Sequence, residues 1–332
     1  MYRVPYVYTN TETKVYKGKF HYKRIPENAR YYPNLIKTYD KRWVPPKVVA
    51  FDLDETIGSF QDLYSIWKAI FEKGLYTGTI DRTTTQKIFN DLLDLYPEFL
   101  RYGILHILEF IKTKIQNGES HRIYLYTNNQ CDYSVWSKIA CPNPTEWVEM
   151  IIVYLNVKLG VKDTIFAKPI CAFKINNVVI EPLRQTTNKT HRDFLKCSIL
   201  PKTTEICFID NTYYEKMCHD KVYYIQPPPY IHALSRDDII DRFVKSAFHK
   251  QLVQKIGYVS PPSFPKDTTQ PIQPYSPITT AQYEIYTKLL YYIKEFFCMT
   301  TPPSHTRRRI IRLGKFTRKR PRKKTQDSST PM

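Results

Sequence analysis

The sequence predicts an α/β protein with a Rossmann-like parallel sheet flanked by helices. Three short apolar runs, at 48–51, 123–126 and 206–209, have the length and composition of strands buried on both faces. Each run is followed directly by a side chain that carries a carboxylate or a hydroxyl group. Segments with helical spacing of apolar residues separate the runs, and a strand, a helix and a second strand form a βαβ unit with parallel strands.

The first apolar run leads into two carboxylates, Asp52 and Asp54, and Thr56 follows two residues later. Residues i and i+2 of a strand point the same way, so the two carboxylates are expected to lie together at the carboxyl end of the strand, where open α/β sheets bind ligands. Two like charges this close are unfavourable unless a cation or a shared proton relieves them. Mg²⁺ prefers such oxygen ligands, so the sequence favours a magnesium site at this corner.

Helices are predicted between the first run and the second. Residues 59–100 carry two stripes of apolar side chains at helical spacing, and an amphipathic helix follows them. The second run ends at Thr127, which a parallel sheet places at the same edge as Asp52. A threonine that merely caps the next helix is the alternative interpretation of Thr127.

A mixed segment precedes the third run. A helix is expected over 143–160, and residues 164–181 alternate as one or two strands, which form either a small insertion over the site or an extension of the sheet. A helix start is predicted within 187–197, and the third run then leads into Asp210 and Asn211, a pair that is also typical of a simple turn. Beyond it the pattern predicts a further strand and a helical segment, at 222–225 and 231–257.

The run from Asp52 to Thr56 resembles the first motif, DxDx(T/V), of the haloacid dehalogenase superfamily of aspartyl phosphotransferases. Its spelling, DLDET, is most similar to the branch of RNA polymerase C-terminal-domain phosphatases, also called NLI-interacting-factor-like, and to homologues carried by large DNA viruses. An apolar strand that closes on Thr127, a lysine near a helix start and an acid after a third strand resemble the second, third and fourth motifs, with an Arg101-x-Gly103 lead-in to the second. The resemblance covers about residues 47–230.

The resemblance implies the chemistry of a Mg²⁺-dependent phosphatase. Asp52 would attack phosphorus and form an aspartyl-phosphate, while Asp54 would protonate the leaving oxygen and then activate water. The Asp52 side chain, the main-chain carbonyl of Asp54 and Asp210 would hold Mg²⁺, with Asn211 as a supporting residue.

The same resemblance implies which side chains bind the phosphoryl group. Thr127, Asn128 and the third-motif lysine would contact its oxygens, and Thr56 would support the loop. Two lysines compete for the third motif. Lys189 is preferred because it lies at the positive end of a predicted helix, where anions bind, whereas Lys196 is closer in sequence to the fourth motif.

The substrate is less specified than the chemistry. The resemblance implies phosphoserine or phosphothreonine of a protein, and the mostly helical segment between the first two motifs contains no large, obvious cap domain, which suits a macromolecular substrate. A nucleic-acid end phosphatase is an alternative that the basic tail favours. A non-catalytic scaffold that binds nucleic acid through its basic tail is another alternative, although a scaffold need not retain all three acids.

The charge distribution separates a body from a tail. The chain of 332 residues has a net charge of +19, and eleven of its lysines and arginines lie between Arg307 and Lys324 without an intervening acid. That stretch fits a nuclear-import signal, a nucleic-acid tether or a solubilising end. The predicted organisation has five parts, namely an extension of short strands over 1–46, the phosphatase domain over 47–258, a proline-rich linker over 259–279, a helix over 280–299 and a basic disordered tail over 300–332.

Composition excludes several other classes. The sequence contains no glycine-rich phosphate loop, and its seven cysteines lack metal-ligand spacing, so reduced thiols are expected. The N-terminus has no apolar signal core, and no stretch approaches the apolar length of a membrane span. We therefore expect an intracellular protein, nuclear or cytoplasmic (in the host cell if the gene is viral), without membrane association.

Overall fold

A parallel sheet runs through the centre of the fold. The computed structural model describes residues 13–16, 20–23, 46–70, 82–129, 147–257, 264, 280–298 and 309–312. The strands within these residues are β1 (Thr13–Tyr16), β2 (Phe20–Lys23), β3 (Lys47–Phe51), β4 (Ile123–Leu125), β5 (Lys174–Ile175), β6 (Val178–Val179), β7 (Glu205–Ile209), β8 (Val222–Gln226) and β9 (Arg309–Arg312). The central sheet has the order β4-β3-β7-β8-β9, and every neighbouring pair is parallel.

Helices cover both faces of this sheet, which is why its strands are apolar on both sides. The helices are α1 (Gln61–Ile70), α2 (Arg82–Leu95), α3 (Ile104–Gln116), α4 (Trp147–Lys158), α5 (His191–Ser198), α6 (Arg236–Lys245), α7 (Ala247–Ile256) and α8 (Thr280–Cys298). Alternate residues of a strand enter different cores, as the two-residue period requires. Phe51 packs in the larger core with most of the helices, whereas Ala50 packs in a smaller core with Phe194 and Leu195 of α5.

The register of the strands places the predicted site residues side by side. Phe51 of β3 pairs with Leu125 of β4 on one side and with Ile209 of β7 on the other. The residues that follow these three therefore emerge together at the carboxyl edge of the sheet. That edge is where sequence reasoning expected Asp52 and Asp210.

The α/β fold and the parallel sheet confirm the coarse prediction, and several elements differ in detail. The segment 164–181, expected as a small insertion or an extension of the sheet, extends the sheet in part. Isolated parallel bridges join Phe166 to Ile123 and Ile170 to Tyr126 beside β4, whereas β5 and β6 form a separate two-stranded hairpin. The helical segment 231–257 is two helices divided at Ser246, whose side chain accepts a hydrogen bond from the His249 amide and so caps α7. Among the described helices, none is long and apolar enough to cross a membrane.

The two ends of the chain are described only in part. β1 and β2 pair as an antiparallel hairpin within the predicted extension of short strands. Within the predicted disordered tail over 300–332, the described residues are Arg309–Arg312, which pair with β8 at the edge of the sheet. The predicted linker over 259–279 lies outside the described residues except for position 264.

Cysteine chemistry also differs from the prediction at one position. Cys171 is disulfide-bonded, whereas Cys197, Cys207, Cys218 and Cys298 are free. The expectation of reduced thiols is therefore wrong for Cys171.

Helix α8 docks on the body of the protein. Leu289, Ile293 and Phe296 are buried against the larger core. Polar contacts add to this packing, because the ammonium group of Lys47 donates a hydrogen bond of 2.8 Å to the carbonyl oxygen of Phe296. The Tyr223 hydroxyl donates a second hydrogen bond, to the carboxylate of α8 residue Glu295.

Replacing Ile293 with alanine tests this docking. Ile293 is 0 % exposed, so the substitution is expected to lower the free energy of unfolding by about 2–5 kcal/mol through lost burial and a residual cavity. Tyr291 on the same helix is 62 % exposed, and its replacement by alanine is expected to change stability by less than about 0.5 kcal/mol. Urea denaturation of both variants measures the difference, and equal effects would mean that α8 does not pack as described.

Candidate active site

Two buried carboxylates define the centre of the site. The main-chain amide of Asp52 donates to the carbonyl of Ile209 at 2.9 Å, and that of Asp210 donates to the carbonyl of Ile225 at 3.2 Å. These bonds continue the sheet ladder one residue past the strands and hold both acids at its edge. Asp210 is fully buried and Asp52 is nearly so.

The ammonium group of Lys189 lies between these carboxylates. It donates to Asp52 Oδ1 and, at 2.7 Å, to Asp210 Oδ2, and the lysine is 1 % exposed. Lys189 precedes Thr190, the N-cap of α5, whose hydroxyl accepts from the Asp193 amide at 2.9 Å. The Thr190 amide in turn donates to the hydroxyl of Tyr126, which ties the start of α5 to the end of β4.

Burial and the neighbouring charges change the pKa values of Lys189 and Asp210. Burial would lower the pKa of Lys189, but the adjacent Asp52 and Asp210 carboxylates outweigh it, so that pKa is raised and the ammonium group stays charged. Burial raises the pKa of Asp210 to about 7, with the Asp52 charge adding to the increase and Lys189 opposing it. The network thus keeps the Lys189 ammonium group charged between two buried acids.

Asp54 has a different environment from Asp52. Its carboxylate accepts a hydrogen bond of 2.6 Å from the side-chain amide of Asn129. Burial, followed by the charge of Asp52, raises the pKa of Asp54 to about 6, while the Asn129 bond opposes the increase. A carboxyl group with a pKa near neutral can both give and take a proton, which is the property that a general acid and base needs.

Asn129 is a site residue that sequence reasoning missed. The second-motif resemblance drew attention to Thr127 and Asn128, and Asn129 is simply the next residue. Its main-chain amide also donates to the Thr127 hydroxyl at 3.1 Å. Asn129 therefore positions the Thr127 hydroxyl with its main chain and contacts Asp54 with its side chain. The sequence signal that could have identified Asn129 is the run of polar residues, Thr127 to Asn129, directly after the strand.

Thr56 braces the loop that carries the two aspartates. Its buried hydroxyl donates to the side-chain oxygen of Asn211 at 3.0 Å and accepts from the Asn211 amide at 3.1 Å. Asn211 also donates to the carboxylate of Glu55 at 2.9 Å. Glu55 has a positive φ of 55°, so these contacts hold a tight turn directly after the two aspartates.

Two buried arginines fix the loops on either side. Arg184 donates to the carbonyl of Thr127 at 3.0 Å and to the side chain of Asn128 at 2.9 Å, and its guanidinium lies 4.9 Å from the Tyr126 ring centre. The sequence around Arg184 gave no signal of this role. Arg101, noted in sequence as the lead-in to the second motif, donates instead to the carbonyl of Thr56 at 2.6 Å and so restrains the first-motif loop.

The structure distinguishes the two candidate lysines. Lys189 touches Asp52 and Asp210, whereas Lys196 is exposed on the last turn of α5 and contacts neither acid. Asp52, Asp54, Thr127, Asn128, Lys189 and Asp210 all gather at the carboxyl edge, with Thr56 and Asn211 bracing the turn beside them.

The donor set fits a hard divalent cation. Asp52 and Asp210 each place one oxygen on the same Lys189 nitrogen, so the two carboxylates are close enough for one cation to bridge them. No group of three or more His, Cys, Asp or Glu side chains is arranged as a metal site within the described ranges. Two carboxylates and a main-chain carbonyl leave the remaining ligand positions to water and phosphate, which is the mode that Mg²⁺ favours.

No protein-family model, curated protein or solved structure matches this chain. The functional argument therefore depends on the residues of the site and their geometry.

Replacing Lys189 with methionine is expected to lower the free energy of unfolding by about 3–5 kcal/mol at pH 8, because it leaves two buried acids without their counter-charge. The loss should shrink towards pH 6. Burial already raises the folded-state pKa of Asp210 to about 7, above its unfolded value, and an acid shifted in this direction stabilises the fold as pH falls through that pKa.

Urea denaturation at pH 8 and pH 6 measures this effect. Lys196→Met removes an exposed charge from the same segment and is expected to change stability by less than about 0.5 kcal/mol at both pH values. A Lys189→Met penalty as small as the control would contradict the buried network.

Proposed function

We propose that this protein is a Mg²⁺-dependent phosphatase that acts through an aspartyl-phosphate on Asp52. The observation that supports this most strongly is the Lys189 ammonium group between Asp52 and Asp210 at the carboxyl edge of a parallel sheet. Open α/β sheets bind ligands at this edge. A nucleophilic carboxylate, a fixed positive charge and a second acid are the groups that phosphoryl transfer to an aspartate requires.

Charge is the main obstacle to this chemistry. A carboxylate that approaches a phosphate is repelled by about 1 kcal/mol at 4 Å in water, and by about 4 kcal/mol at an effective dielectric constant of 20. Lys189 reduces that repulsion because its ammonium group already contacts the attacking side chain. The Thr127 hydroxyl and the side-chain amide of Asn128 are hydrogen-bond donors for the phosphoryl oxygens, and positioned donors of this kind supply much of the catalysis in phosphoryl transfer.

The reaction has two displacements at phosphorus. In the first, an Asp52 carboxylate oxygen bonds to phosphorus, the bond to the ester oxygen breaks, and Asp54 gives its proton to the leaving oxygen. In the second, Asp54 takes a proton from water, the water oxygen bonds to phosphorus, and the bond to Asp52 breaks to release phosphate. The raised pKa of Asp54, about 6, suits both transfers.

Mg²⁺ would be held by the Asp52 carboxylate, the Asp54 main-chain carbonyl and the Asp210 carboxylate. When bound, it would neutralise charge on the phosphoryl group. Thr56 and Asn211 would keep the Asp52–Asp54 turn and the Asp210 turn in a fixed relation, because their side chains are bonded to each other.

The proposed substrate is phosphoserine or phosphothreonine in a protein. Helices α1 and α2, which follow the first motif, turn apolar side chains such as Leu63 and Leu92 into the core beside the sheet. They therefore contribute to the body of the fold, which supports a site that can accept a large substrate. The nucleic-acid end phosphatase remains as a competing outcome of the tests below.

Replacing Asp52 with asparagine tests the nucleophile. With Mg²⁺ present, hydrolysis of p-nitrophenyl phosphate and of a phosphoserine peptide is expected to fall about 1000-fold or more, because an amide cannot form the intermediate. Asp241→Asn, which removes an exposed carboxylate paired with Lys245 on α6, serves as the control and should retain the wild-type rate. Equal rates for wild type and Asp52→Asn would eliminate Asp52 as the nucleophile.

The same enzymes assayed on oligonucleotides with a 3′- or 5′-phosphate identify the substrate class. Faster turnover of an oligonucleotide than of any phosphopeptide would replace the protein phosphatase proposal with the nucleic-acid one.

Replacing Asp54 with asparagine tests the proton donor. The rate on a phosphoserine peptide is expected to fall about 100-fold or more, because the serine oxygen must be protonated as it leaves. The first step with p-nitrophenyl phosphate should fall much less, since p-nitrophenolate leaves without a proton. Rapid-mixing measurement of p-nitrophenolate release separates the steps, and equal losses on both substrates would argue against general-acid catalysis by Asp54.

A further inference from the structure

A groove beside the proposed phosphoryl site is not used by the chemistry described above. It has a volume of about 260 Å³ and lies between the segment that carries Lys189 and the segment that follows Asp210. Its lining residues are Gln185, Thr186, Thr190, Arg192, Asp193 and Lys216.

Two cationic side chains of this groove have no partner in the described part of the chain. Arg192 and Lys216 are exposed, and neither makes a hydrogen bond or an ion pair there. The one acid in the lining, Asp193, is buried and accepts a hydrogen bond of 3.2 Å from the Gln185 amide. The two cations therefore remain available to a ligand, and they come from different elements of the fold.

The distance from the groove to the proposed phosphoryl site matches two or three residues of an extended peptide. Arg192 is the third residue after Lys189, so their Cα atoms lie within about 11 Å. Lys216 follows two residues after Tyr214, whose ring centre is 5.4 Å from the Lys189 nitrogen. In an extended peptide, residues two apart are separated by about 7 Å and residues three apart by about 10 Å.

We propose that Arg192 and Lys216 form a specificity subsite for a second anionic group of the substrate, above all a second phosphoserine or phosphothreonine two or three residues from the one that reacts. This inference rests on the proposed phosphatase function and names the substrates it prefers. Guanidinium and ammonium groups are the usual ligands of phosphate in proteins, and bonds between charged partners are stronger than neutral ones.

The lining favours a peptide over a nucleic-acid strand. It contains no aromatic side chain among the six residues, so it lacks a surface on which a base could stack. The Asp193 carboxylate in the lining would also repel a continuous row of phosphates more than a single anionic group.

The test compares two peptides that share one reacting phosphoserine and differ in a second residue, either phosphoserine or serine, two or three positions away. The full-length wild type is expected to show kcat/KM about tenfold higher for the doubly phosphorylated peptide. The double variant Arg192→Gln/Lys216→Gln should lose that preference but retain the wild-type rate on p-nitrophenyl phosphate. Lys196→Gln/Lys202→Gln removes the same charge from exposed positions outside the groove and should retain the preference.

Fluorescence anisotropy on an Asp52→Asn background measures the same preference as binding, without turnover. If p-nitrophenyl phosphate is not hydrolysed but the binding preference depends on Arg192 and Lys216, the proposed catalysis fails and the subsite stands. An unchanged preference in the groove variant, or an equal loss in the control variant, overturns the subsite. The subsite proposal is also overturned if Arg192 and Lys216 are needed for binding of a single-stranded oligonucleotide but not for binding of the peptides.

Discussion

The pairing of one ammonium group with two buried carboxylates is the constraint on which the rest of the site depends. Asp52 and Asp210 reach the same sheet edge because β3 and β7 pair in register, and two acids buried there would repel each other without Lys189. Lys189 is held in turn by the start of α5, which is anchored through Thr190 and Tyr126 to the end of β4. The contact of Lys189 with the two acids thereby connects β3 and β7 to the start of α5, and the hydrogen bond between Thr190 and Tyr126 connects that helix to β4.

Beside this centre, the two buried arginines donate mainly to main-chain carbonyls. Arg101 donates to the carbonyls of Glu55, Thr56 and Pro228, and burial lowers its pKa to about 10. Arg184 similarly donates to carbonyls on the loop that follows β4. Desolvating an arginine is unfavourable unless its donors are satisfied, so each guanidinium requires its loop to keep one shape. The two loops that carry Asp54 and Thr127 are thereby each held by an arginine, and in the proposed mechanism this restraint would preorganise their polar groups.

Sequence reasoning located the strands and acids because local pattern alone specifies them. A run such as 206–209 is apolar at every position, which indicates a strand buried on both faces. The residue after such a strand lies at the carboxyl edge of the sheet, so Asp210 could be placed from the sequence. Arg184 could not, because its partners in the site, Thr127 and Asn128, lie more than fifty residues away and nothing near it in sequence distinguishes it from a surface arginine. The division of the 231–257 segment at Ser246 was not predicted because the helical spacing of apolar residues continues through it. Only the cap of α7 reveals two helices.

The edge strand β9 affects whether a strand from a second molecule can add to the central sheet. Parallel pairing along β8 satisfies a row of amide and carbonyl groups that would otherwise be a template for a strand from a second chain. As described, this outer strand is four residues long. A short edge strand offers few amide and carbonyl groups to a second chain, so β9 disfavours intermolecular strand addition at this side of the sheet.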